Sequence, residues 1–150
     1  MNKHLRLPLD IDLVRHPGQT VLRISLHREV LCEWCAGLSL LKEGLIEVLT
    51  VTEQQKRGAK VQFLTEPKTG GTVRVRFKSD LSEVTLTRNN LEYLQHFFLK
   101  YYRDSVAEVD HLDLQAIDAE TGNKEIYVTF RVPESTAPVT PEEARRRLEG

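Results

Sequence analysis

The sequence predicts an α+β fold: a largely antiparallel sheet, built from a meander plus a hairpin, with two main helices packed on one face and a short C-terminal tail helix. Three observations predict it. Short runs alternate apolar and polar residues, two longer runs carry apolar residues at three- and four-residue spacing, and glycine-containing turns separate the strands. The strand runs flank the two helical runs on both sides, an order that suits helices laid against one sheet.

Taken in order, residues 5–13 read Leu5-Arg6-Leu7-Pro8-Leu9-Asp10-Ile11-Asp12-Leu13, the period-two pattern of a strand with one buried face. Pro8 has no N–H to give to a ladder, which places this strand at a sheet edge. His16-Pro17-Gly18-Gln19 is a turn, and residues 20–26 form a second strand. From His27 the period changes. Val30, Leu31, Trp34, Leu38, Leu41 and Leu45 fall on one stripe, predicting a helix over 27–42 that Gly44 stops.

Four strand-like runs follow, at 45–53, 60–66, 72–78 and 83–87. Lys56-Arg57-Gly58 and Lys68-Thr69-Gly70-Gly71 supply turn chemistry, and links this short are expected to permit only antiparallel neighbours, which makes this a meander. The inward residues would be Val61, Phe63, Val73, Val75, Phe77, Val84 and Leu86. A second helix starts at Asn89 as cap, with Glu92 three residues on and Thr87 as the alternative cap. It runs through Leu91, Leu94, Phe98, Tyr101 and Tyr102 to Ser105. A hairpin over 109–117 and 125–132 turns at Glu120-Thr121-Gly122-Asn123. Residues 1–133 are read as a single domain. Residues 134–150 are read as a flexible tail, in which Thr140-Pro141-Glu142-Glu143 opens a short terminal helix.

Composition bounds the function. The chain has 150 residues, 40% of them hydrophobic and 29% charged, which is ordinary material for one globular core. A net charge of −1 exerts no global pull toward nucleic acid or an anionic membrane. Two cysteines make no disulfide scaffold. Lys3, His4, Arg6 and Pro8 break up the N-terminus, so it offers no signal-peptide core, and no stretch approaches the ~18 uncharged apolar residues of a membrane helix. The expected compartment is the cytoplasm. The sequence shows no internal repeat and none of the common catalytic or phosphate-loop motifs, and no cofactor is expected.

Four constellations carry candidate chemistry. Cys32-Glu33-Trp34-Cys35 has the spacing of dithiol redox sites and of half a zinc site, with His27 as the nearest further ligand. The pair lies inside the expected helix, away from the terminus where a dipole stabilises thiolate, so two structural thiols are the simpler reading. Asp110, His111 and Asp113 could hold a divalent ion or form an acid–base pair, yet charged residues are ordinary on the open face of a strand. Arg74, Arg76 and Lys78 form a basic ridge on one strand face. From 54 to 78 seven basic residues face one acidic, and from 104 to 134 eight acidic face two basic. That division suits steered protein contacts, and the ridge could track phosphates, but it lacks interleaved aromatics to stack on bases.

The aromatic run is the most informative. Five of the nine Phe and Tyr residues fall between Tyr93 and Tyr102. Leu91, Leu94, Phe98, Tyr101 and Tyr102 make a core stripe, and Tyr93 and Phe97 widen it beyond what one surface covers. The expected function is therefore a non-enzymatic protein-interaction module or small accessory protein. It would self-associate as a homodimer, or hold a protein partner, through Tyr93, Phe97 and Tyr101. The alternatives are a thiol redox or metal-dependent protein using Cys32, Cys35 and His27, and a nucleic-acid binder using Arg74, Arg76 and Lys78.

Overall fold

A computed structural model describes residues 2–54, 59–66, 72–104 and 111–132, with only the backbone of 101–104. The elements are β1 (Asn2–Leu7), β2 (Leu9–His16), β3 (Gln19–Leu26), a 3-10 turn (Arg28–Val30), α1 (Leu31–Lys42), β4 (Val48–Glu53), β5 (Lys60–Glu66), β6 (Val73–Phe77), β7 (Leu81–Thr87), α2 (Arg88–Asp104), β8 (His111–Asp118) and β9 (Ile126–Arg131). The expected turns at 56–58 and 68–71, Asp110 and the tail 134–150 lie outside the described residues.

The expectation of a largely antiparallel sheet is overturned. Nine strands form one mixed sheet in the order β1-β4-β5-β7-β6-β8-β9-β3-β2. Each hairpin is antiparallel inside: β2 with β3, β4 with β5, β6 with β7, β8 with β9. The hairpins meet each other in parallel: β1 with β4, β5 with β7, β6 with β8, β3 with β9. The expected meander fails at β5, whose neighbour is β7 rather than β6. The connector 67–72 can extend to about 20 Å, more than the two strand spacings of about 4.8 Å it must step across. A short link thus limits how far two strands lie apart without making them partners.

Pro8 acts as a corner. β1 and β2 are the two edges of the sheet, yet they are one chain segment broken only at Pro8. The sheet therefore curls until its edges meet. There the Gln54 N–H donates to the Leu7 carbonyl at 2.9 Å, and the Glu53 carboxylate takes the Ile11 N–H.

With the Pro8-broken segment β1 and β2 counted as one strand, the order of elements also occurs twice, as β1/β2-β3-α1-β4-β5 and β6-β7-α2-β8-β9. The two halves match in detail. Leu7 lies opposite Glu53 as Val75 lies opposite Asp118, and the Ala119 N–H donates to Val75 as Gln54 does to Leu7, also at 2.9 Å. The residues of the two halves differ, so no repeat is visible in the sequence.

Both helices lie against the inner face and against each other, where the buried Gln95 amide donates to the Ser39 hydroxyl. Four rings meet at the centre, one each from α1, β5, α2 and β9. Trp34 stands 5.3 Å from Phe63, 5.9 Å from Phe98 and 6.1 Å from Phe130. Burial of these side chains supplies much of the driving force for folding. α1 ends where Gly44 adopts φ +74°, letting Leu45 N–H reach the Leu40 carbonyl at 2.9 Å. α2 is capped by Thr87 rather than Asn89. The Thr87 hydroxyl takes the Asn90 N–H at 3.1 Å while Asn90 Oδ1 takes the Thr87 N–H at 3.0 Å, so Asn90 fills the reciprocal role assigned to Glu92.

Candidate functional site

The aromatic flank of α2 is placed at the surface. Leu91, Leu94 and Phe98 are buried against the sheet, Phe97 is half-buried edge-on to Phe98 at 5.1 Å, and Tyr93 is 58% exposed. α1 covers the side of α2 that holds Gln95, not the side that holds Tyr93. Glu92, His96, Leu99 and Lys100 are exposed on the same helix. The Tyr101 side chain lies outside the described residues.

The cysteines are split by the helix. Cys35 is buried and Cys32 exposed, and both are free thiols. Burial pushes the Cys35 thiol up to about 11, with the neighbouring Cys32 adding to the effect. A thiol in that environment is a poor nucleophile and a poor metal ligand at neutral pH. The α-helix begins at Leu31, after a 3-10 turn, so Cys32 sits in its first turn rather than well inside it. The Leu31 N–H there is already taken by the Arg28 carbonyl. His27 is half-buried just before the turn. Among the described residues no three His, Cys, Asp or Glu side chains converge to hold a metal ion.

The basic ridge is largely neutralised by its neighbours. Arg74 lies 3.9 Å from the Glu66 carboxylate, Lys78 pairs with Glu83, and Arg76 stands opposite Glu83 across the β6–β7 ladder. Phosphates approaching this face would compete with carboxylates already in place.

A cluster that the sequence reading did not assemble lies on the outer face of β8, β9 and β3. A cleft of about 640 Å³ is lined there by Arg23, His111, Asp113, Tyr127, Thr129 and Arg131, among others. The Thr129 hydroxyl donates to Asp113 at 2.6 Å, and His111 Nε2 stands 3.6 Å from the other Asp113 oxygen. His111 and Asp113 were legible as a pair two residues apart. The two arginines were not, because they come from β3 and β9, distant in the chain and adjacent only through a parallel ladder.

No family model and no curated protein matches the sequence. Among solved structures, that of Drosophila Suppressor of Fused is similar at a TM-score of 0.43 and 12% identity, over 87% of this chain. The chain spans about a quarter, 27%, of that protein's length. Among the described residues no helix is long and apolar enough to cross a membrane.

Proposed function

We propose that the chain is a non-enzymatic protein-interaction module that self-associates through the outer flank of α2. The observation that carries this reading is Tyr93, more than half exposed beside the half-buried Phe97 on the side of α2 that α1 leaves open. Aromatic residues at the surface concentrate at interface centres, where their area is removed from water at little entropic cost. Charge favours a second copy as the occupant. Two α2 helices packed antiparallel about His96 set Glu92 of one copy opposite Lys100 of the other, and Tyr93 opposite Leu99.

Sedimentation of the full chain tests the reading. The wild type should dimerise, and Tyr93→Ser, at a side chain 58% exposed, should shift the equilibrium toward monomer with the melting temperature held. Phe97→Ser added to it should complete the dissociation. A wild-type chain that stays monomeric at every accessible concentration would end the self-association reading.

A further inference from the structure

We draw no further inference here: the strongest candidate, the open edge of β2 at Leu13 and Arg15, on the side away from β3, carries in Asp12 and Arg15 the charges that guard a solitary edge, and nothing in the structure shows what covers it.

Discussion

The Glu53 carboxylate accepts a hydrogen bond from the Ile11 backbone N–H at 2.9 Å, through Oε2, while its other oxygen takes the Ala59 N–H at 3.1 Å. Glu53 is only 4% exposed, and β2 and β4 stand at the seam where the curled sheet meets itself. A side chain supplies here the acceptors that no neighbouring strand provides. Glu53→Gln keeps the shape but leaves one acceptor oxygen for two N–H donors. Hydrogen bonds to a charged group contribute about 1.5–3 kcal/mol. We therefore expect Glu53→Gln to destabilise by about 2 kcal/mol in urea denaturation, and the exposed Glu92→Gln to change stability by less than about 0.5 kcal/mol. Equal midpoints for the two variants would show that the seam is held by other contacts.

Gly37 decides how closely α1 approaches the sheet. A Cβ built there would lie 3.0 Å from Leu49 Cδ1, 3.2 Å from Leu49 Cδ2 and 3.3 Å from Leu5 Cδ1. Alanine would gain up to about 1 kcal/mol of helix propensity. Leu49 is fully buried and has little room to give way, and overpacking costs about 1–3 kcal/mol. Gly37→Ala should therefore be net destabilising in a melting experiment. A stabilised variant would mean that Leu49 has another rotamer available.

The central Trp34 separates packing from hydrogen bonding. Its indole N–H is buried and has no hydrogen-bond partner among the described residues, while its rings touch three phenylalanines. Trp34→Ala should cost about 3–5 kcal/mol. Trp34→Phe keeps an aromatic body and removes the unpaired donor, so it should cost less than half as much in the same assay. Equal losses would imply that the N–H is satisfied in solution.

Local structure was legible and neighbourhood was not. The helical stripes, the glycine at φ +74° and the inward alternation of Val61, Phe63, Val73, Val75, Val84 and Leu86 follow from periods and turn chemistry that act within a few residues. Which hairpin lies beside which is set by long-range burial, and nothing in residues 60–87 says that β5 chooses β7 over β6. The same limit applied to the site. Arg76 was visible as basic and proves to stand opposite Glu83, whereas Arg23 and Arg131 looked incidental until a parallel ladder set them side by side. The sequence offers both Asn89 and Thr87 as caps of α2, and the reciprocal bonds between Thr87 and Asn90 decide for Thr87.

Cys35 gives a prediction in pH. Burial raises its thiol from an ordinary value of 9.0 to about 11. The folded protein thus holds the proton more tightly than the unfolded chain does. Below pH 9 the thiol is protonated in both states and contributes no pH dependence. Between 9 and about 11 only the unfolded chain loses the proton, so stability should fall as pH rises through that window. Cys35→Val, which fills the site without ionising, should flatten this fall, whereas substitution of the exposed Cys32, the smaller cause of the rise, should narrow the window without abolishing it. Labelling follows the same logic. At pH 8 the native protein should show one readily modified thiol and one slow one, with the slow one lost in Cys35→Val. A Cys35 thiol that reacts as fast as Cys32, or a stability curve unaltered by Cys35→Val, would show that the helix opens around Cys35. The two sulfurs would then be equally reachable, as a dithiol site requires.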